Sequence, residues 1–468
     1  MEINEFRKHA HAFVDWIADY YENIEQYPVK STVEPGGVKS QLPPLAPEQG
    51  EKMEDIFNDF QNIIMPGISH WQHPGWFAYF PANNSPASVL GEMLTAGLGV
   101  QGMIWDTSPA ATELEEVVMN WLRDMAGVPP HFTGVIQDTA STATLCALLS
   151  AREKATNFQV NQKGFQKTLR VYTSGHTHSS IEKGVKIAGF GRENLVYIDT
   201  DENFAMRMDA LEQAIEQDIK MGLTPCCVAA TLGTTSSMAM DPIDEIGKIC
   251  QKYNIWLHVD AAFAGTAAIA PEYRNFLKGI EMADSYVFNP HKWMLTNFDC
   301  SAYFVKDAEI LKRTFSIMPE YLKTSADEKV NNYRDWGIQL GRRFRALKLW
   351  FVIRSYGIEG IRAMIRLHIN LAQEFAGWIE KDEEFEILAP VNLSLVCFRF
   401  VKPGQSEEEL TALNKKLLKN INASGKVYLT HTVLNGRYCL RLSVGQRNTR
   451  VRHVEQVWDL IKENTRDW

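Results

Sequence analysis

Cysteine is sparse and unpatterned in this chain: seven residues in 468, at positions 146, 226, 227, 250, 300, 397 and 439, none in a C-x-x-C pair. An odd, scattered set lying mostly inside apolar runs excludes a disulfide framework and fits reduced core thiols in a cytoplasmic protein. His70-Trp71-Gln72-His73 and His176-Thr177-His178 have no companion set of Cys or acidic ligands, so no metal site is expected. Hydrophobic residues make up 45% of the chain, yet none of its apolar runs approaches the roughly 20 residues a membrane span needs. The net charge of −9, with no Lys/Arg block, argues against a nucleic-acid surface. Met1-Glu2-Ile3-Asn4-Glu5-Phe6 carries acid where a secretory leader carries base, so no signal peptide is expected. Internal repeats and low-complexity tracts are lacking too.

What is present is an ordinary globular composition in a chain long enough for two or three domains. Residues 1–84 read as a helical segment for dimerisation, 85–375 as a large domain and 376–468 as a small C-terminal one. Within the first 65 or so positions, Phe6, Phe13, Ile17, Tyr20, Tyr21 and Ile24 recur at helical spacing ahead of a Pro-rich linker. Such a stripe cannot form a core alone, and a second subunit is its expected cover. The middle of the chain alternates helix and strand, with strands predicted at 134–136, 169–172, 195–198, 227–230, 255–259 and 285–288. That alternation is the pattern of a mostly parallel sheet covered on both faces. After Lys381, strands at 395–400, 427–430 and 438–442 predict a smaller α+β unit. Gly97-Leu98-Gly99-Val100-Gln101-Gly102 matches G-x-G-x-x-G, but the stretch before it reads as helix rather than strand, so no dinucleotide site is expected.

Chemistry concentrates at two strand ends. Ile255 to Asp260 and Ser285 to Lys292 are apolar runs that end abruptly in a carboxylate and an amine, 32 positions apart (292 − 260). Either run alone is equally a core strand followed by a solvated charge. Together they supply what pyridoxal 5′-phosphate (PLP) needs: an amine to hold the aldehyde as a Schiff base and an acid to keep the pyridine nitrogen protonated. Val135-Ile136-Gln137-Asp138-Thr139-Ala140-Ser141 passes from strand into a hydroxyl-rich helix start, a candidate phosphate site. His178, just past another strand, falls at the same sheet edge and can stack on a ring there.

Asn289-Pro290-His291-Lys292-Trp293, His258-Val259-Asp260-Ala261-Ala262 and His178-Ser179-Ser180 resemble motifs of the group II PLP-dependent amino-acid decarboxylases, nearest to the aromatic-L-amino-acid branch. The likeness runs through Phe77-Ala78-Tyr79-Phe80-Pro81, Ala230-Thr231-Leu232-Gly233-Thr234-Thr235 and Asn297-Phe298-Asp299-Cys300-Ser301-Ala302 to Leu340-Gly341-Arg342. It implies the aspartate-aminotransferase-like α/β fold (PLP fold type I), working as a homodimer with shared active sites. It also implies roles. Lys292 would bind the cofactor aldehyde and Asp260 would pair with the pyridine nitrogen. His178 and Ala262 would cover the two ring faces, and Ala140, Ser141 and Asn289 would hold the phosphate. Thr235 and His258 would support the cofactor and the substrate carboxylate, and Tyr321, in a Pro-bounded polar lid loop, would return a proton to Cα.

Trp71, Tyr79, Phe80, Pro81 and Ala82 match the family's aromatic-binding wall, although Ala82 stands where animal enzymes have Thr. Gln101 and Met103 replace apolar and aromatic residues of the opposing wall. Tryptophan, phenylalanine, tyrosine and dihydroxyphenylalanine all stay open as substrates, because a pocket rejects an added hydroxyl only weakly without a dedicated partner. The alternatives are a decarboxylase of a polar substrate, glutamate or a diamino acid, and a decarboxylating aldehyde synthase. The first needs a side-chain partner not evident in the wall. The second typically lacks either the lid Tyr or the stacking His, and this chain keeps both Tyr321 and His178.

Overall fold

The computed structural model describes residues 1–317 and 329–468. Seven strands form the central sheet: β1 (Thr133–Gln137), β2 (Leu169–Ser174), β3 (Leu195–Ile198), β4 (Thr224–Thr231), β5 (Trp256–Asp260), β6 (Ser285–Phe288) and β7 (Ser301–Val305). Their spatial order is β1-β7-β6-β5-β4-β2-β3, and only the pairings of β7 with β1 and β6 are antiparallel. Parallel strands covered on both faces need apolar residues throughout, and β5, β6 and β7 are buried at every position. A four-stranded antiparallel sheet, order β10-β11-β9-β8, is built from β8 (Phe385–Ile387), β9 (Leu395–Phe400), β10 (Thr430–Leu434) and β11 (Arg437–Ser443).

The six strands predicted in the middle of the chain are all present; β7 is an addition, inserted antiparallel between β1 and β6. The strand predicted at 427–430 is displaced. Tyr428 makes a single parallel bridge to Trp76, and the regular strand starts at Thr430. The N-terminal segment thus captures the backbone that would have lengthened β10: Phe77 donates to the Tyr428 carbonyl at 2.9 Å, and Tyr428 donates to the Gly75 carbonyl at 3.0 Å. Gly97 and Leu98 end the helix Pro86–Leu98 and Gly99 caps it, so a helix rather than a strand leads into the Gly97 to Gly102 motif.

The helix Ile3–Glu22 lays Phe13 and Trp16 against Phe57 and Phe60, with Phe13 and Phe57 ring centroids 4.6 Å apart. Ile17 and Tyr21 instead line an open apolar groove with Pro86, Val89, Leu90 and Met93. Along the helix Pro86–Leu98, Leu90, Leu94 and Leu98 are all more than half exposed. Among the described residues no helix is long and apolar enough to cross a membrane.

Candidate active site

The carboxyl ends of β1, β2, β4, β5 and β6 converge on one cavity of about 230 Å³. Ligands in open α/β sheets sit at this edge, because the loops there are free to carry side chains while the strands below are locked in the core. The cavity is lined by Thr139, Ala140 and Ser141 after β1, by His178 and Ser180 after β2, and by Thr231, Gly233 and Thr235 around the end of β4. Asp260, Ala262 and Phe263 follow β5, and Asn289, His291 and Lys292 follow β6; Phe80 and Phe298 complete the wall. Gly233 has φ +78°, and a Cβ there would stand 2.7 Å from the Ala264 Cβ, so the turn off β4 takes glycine alone.

Asp260 is 3% exposed, and its Oδ1 accepts the Ala262 N–H at 3.0 Å. Lys292 faces the same cavity without an ion pair to Asp260, and its Nζ lies 5.6 Å from the centre of the Phe80 ring. Burial lowers the Lys292 pKa, with the Asp260 charge opposing the shift, so this amine is readier than an ordinary lysine to act as a nucleophile. Burial also lowers His178, whose Nδ1 accepts the Ser180 N–H at 3.2 Å. An Nδ1 that accepts this N–H leaves the ring proton on Nε2. His291 is pulled to about 3 by burial, and its Nδ1 likewise accepts a backbone N–H, that of Cys300, at 3.0 Å.

The phosphate end is equally provided for. Thr139 caps the helix Ala140–Ala155 and engages the Thr142 N–H at 3.4 Å, leaving the first helical N–H groups at Ala140 and Ser141 for an anion. Asn289 Oδ1 accepts the Ser301 hydroxyl at 2.6 Å, which frees its amide nitrogen to donate. A buried amine, a buried carboxylate not paired to it, a flat neutral histidine and an anion-binding helix start around one small cavity fit PLP.

Of the predicted site residues, Lys292, Asp260, His178, Ala140, Ser141, Thr235, Asn289, Ala262 and Phe80 line the cavity together. His258 does not. It is wholly buried behind the lining, with Nδ1 2.9 Å from Ser285 Oγ and Nε2 3.4 Å from Thr144 Oγ1. Trp71, Tyr79, Pro81 and Ala82 also lie outside the lining; Trp71 and Tyr79 form a partly exposed stack with centroids 6.0 Å apart. Tyr321 falls outside the described residues.

Of the lining, sequence reasoning gave no role to Ser180, Thr231, Phe263, His291 and Phe298, and it missed Arg441, which sits behind Thr235. Arg441 is 3% exposed with no carboxylate partner among the described residues. Its guanidinium donates to Thr235 O at 2.5 Å and Thr430 Oγ1 at 2.9 Å, leaves Nε unpaired, and lies 5.7 Å from the Phe80 centroid. A buried cation without an anion is costly unless a ligand supplies one. The available signal was an arginine inside the apolar strand Tyr438-Cys439-Leu440-Arg441-Leu442.

A lysine at one strand end and a carboxylate at the next, walling one cavity of a mostly parallel seven-stranded sheet with a four-stranded appendage, define a PLP enzyme of fold type I. Residues 35–401 match the family described as "Pyridoxal-dependent decarboxylase conserved domain". The chain is 45% identical to tryptophan decarboxylase 2 of Oryza sativa subsp. japonica, over 99% of this chain and 95% of that one. It is also 45% identical to a phenylacetaldehyde synthase of Arabidopsis thaliana, over 99% of this chain and 96% of that one. The crystal structure of Catharanthus roseus tryptophan decarboxylase in complex with L-tryptophan superposes with a TM-score of 0.94 at 44% identity, covering 100% of this chain and 99% of that one. The chain belongs to the pyridoxal-dependent decarboxylase family and is a PLP-dependent decarboxylase.

Proposed function

We propose that the protein decarboxylates an aromatic L-amino acid, tryptophan, tyrosine, phenylalanine or dihydroxyphenylalanine, to the amine and carbon dioxide. The observation that carries this reading is the Phe80 ring, which walls the cavity beside Lys292 and is backed by Phe263 at a centroid distance of 4.2 Å. Likeness to the tryptophan decarboxylases of rice and Catharanthus supports it.

When bound, PLP supplies a protonated pyridine ring that takes up the electron pair left behind as carbon dioxide departs. Asp260 would hold the proton on the ring nitrogen. His178 and Ala262, which line the cavity after β2 and β5, would cover the two ring faces. The N–H groups of Ala140 and Ser141 and the amide of Asn289 would hold the phosphate. Thr235 supports the ring directly, and His258 acts from behind through Thr144 and Ser285. Arg441 takes the substrate carboxylate, which gives its buried charge a partner and orients the bond to be broken. Lys292 would hold the cofactor through its aldehyde and lend its amine to proton transfer, and Tyr321 would return the proton to Cα.

The protein works as a cytoplasmic homodimer with shared active sites. Residues 1–84 serve dimerisation, 85–375 hold PLP and 376–468 form the small domain. The exposed leucines of the helix Pro86–Leu98 and the adjoining apolar groove support a second copy as their cover. In that assembly Trp71, Tyr79, Pro81 and Ala82 complete the aromatic wall.

The test is product stoichiometry from a panel of amino acids with added PLP. One amine per carbon dioxide from aromatic substrates is expected; turnover of glutamate or a diamino acid alone would refute the reading. Likeness to a phenylacetaldehyde synthase makes aldehyde and hydrogen peroxide the products to assay beside the amine.

A further inference from the structure

Phe80 is the cavity end of a column of parallel rings. Phe80 and Phe263 lie 4.2 Å apart at 3°, Phe263 and Trp293 4.5 Å apart at 5°, and Trp293 and His368 6.3 Å apart at 9°. The far end is tied down edge to edge rather than by stacking: Trp293 Nε1 donates to His368 Nδ1 at 2.8 Å, so those two rings lie side by side. His368 belongs to the helix Arg345–Glu380, and both it and Trp293 are fully buried. Aromatic pairs in the small-domain core are arranged differently: Phe375 and Phe398 meet at 72°, Phe385 and Phe400 at 74°. Edge-to-face pairs hold their rings at an angle, whereas a run of stacked parallel rings fixes the plane and height of its last member. Beside that last member lie Lys292 Nζ, 5.6 Å from its centroid, and the Arg441 guanidinium, 5.7 Å from it.

We infer that Trp293 and His368 are positioning residues that set the Phe80 ring, and through it the place of the substrate in the cavity. Neither needs to touch substrate. Phe263 transmits their position, and Phe80 offers the wall against which an aromatic side chain lies, with Arg441 beside it for the carboxylate. The inference rests on the aromatic-substrate reading above.

Full-length holoenzyme carrying Trp293→Leu, which breaks the column, is compared with Trp293→Phe, which keeps a ring in it. Trp293→Leu is expected to raise KM for the aromatic substrate about tenfold, to hold kcat within about threefold, and to leave PLP affinity and cofactor absorbance unchanged. Trp293→Phe is expected to recover most of the KM. A loss of kcat, KM and PLP affinity together, or a Phe variant no better than Leu, would reduce the column to ordinary packing and overturn the inference. Should Trp293→Leu not fold, His368→Leu releases the same column from its far end and is expected to raise KM at least threefold; an unchanged KM overturns the inference equally. The wild type, run on the same amino-acid panel, separates the two claims. A wild type that takes only a polar amino acid refutes the substrate reading, whereas a variant KM equal to wild type, on whichever amino acid is used, refutes the column.

Discussion

Replacing Asp260 by Asn removes a charge and little else. The carboxylate ends β5 and is 3% exposed, and its Oδ1 already accepts the Ala262 N–H at 3.0 Å, a bond the Asn carbonyl can keep. What would be lost is the anion proposed to face the protonated ring nitrogen of PLP. Two unit charges about 4 Å apart at an effective dielectric near 20 interact by about 4 kcal/mol. At roughly 1.4 kcal/mol per tenfold, Asp260→Asn should lower kcat about a thousandfold. The assay is carbon dioxide release at saturating amino acid and saturating PLP, with PLP affinity titrated separately so that weaker binding is not read as slower chemistry. A variant within about fivefold of wild-type kcat would refute the electrostatic role assigned to Asp260.

Arg441→Met should raise KM roughly thirtyfold, the worth of about 2 kcal/mol for a lost charged hydrogen bond, with kcat changed less; equal KM values would remove Arg441 from substrate binding. Tyr321→Phe should spare carbon dioxide release and shift the product from amine toward aldehyde, ammonia and hydrogen peroxide as oxygen intercepts the unprotonated carbon; an unchanged amine yield with no peroxide would place the proton donor elsewhere. Stability should fall in mild acid. Burial holds His73 and His258 to about 4, and His291 and His368 to about 3. These folded values lie below the unfolded value of about 6.5, so the unfolded chain takes protons first and the penalty, absent above about pH 6.5, grows as pH falls toward the folded values. Asp241, pushed up to about 6 by burial, has the opposite sign and offsets part of it. Between pH 7.5 and 5.5 the net loss should be on the order of 4 kcal/mol, read from denaturant midpoints; a flat profile would contradict the neutral burial of these histidines.

The sequence carried the large domain well because its strands are short, mostly apolar and, at β5 and β6, run into abrupt polar residues. Asp260, Lys292 and the helix start at Ala140 could be placed from that pattern alone, since a parallel sheet brings all its strand ends to one edge. β7 was missed because periodicity does not say whether an apolar run following directly on a loop adds a strand or packs beneath one. The strand at 427–430 was misplaced because its partner, the segment around Trp76, lies some 350 residues away in the chain. Phe263 and Arg441 look like ordinary core positions until the small domain is set against the cavity. Trp71 and Tyr79 carry the expected aromatic character, yet they lie outside the cavity lining of the single chain.

Reducing the holoenzyme with borohydride and mapping the modified peptide by mass spectrometry tests the central assignment most directly. The pyridoxyl group should be found on Lys292, in the peptide containing Asn289-Pro290-His291-Lys292-Trp293. In Lys292→Ala, no lysine should be labelled and decarboxylation should be lost while the protein stays folded. A label on any other lysine, or an active Lys292→Ala enzyme, would contradict the site described for this protein.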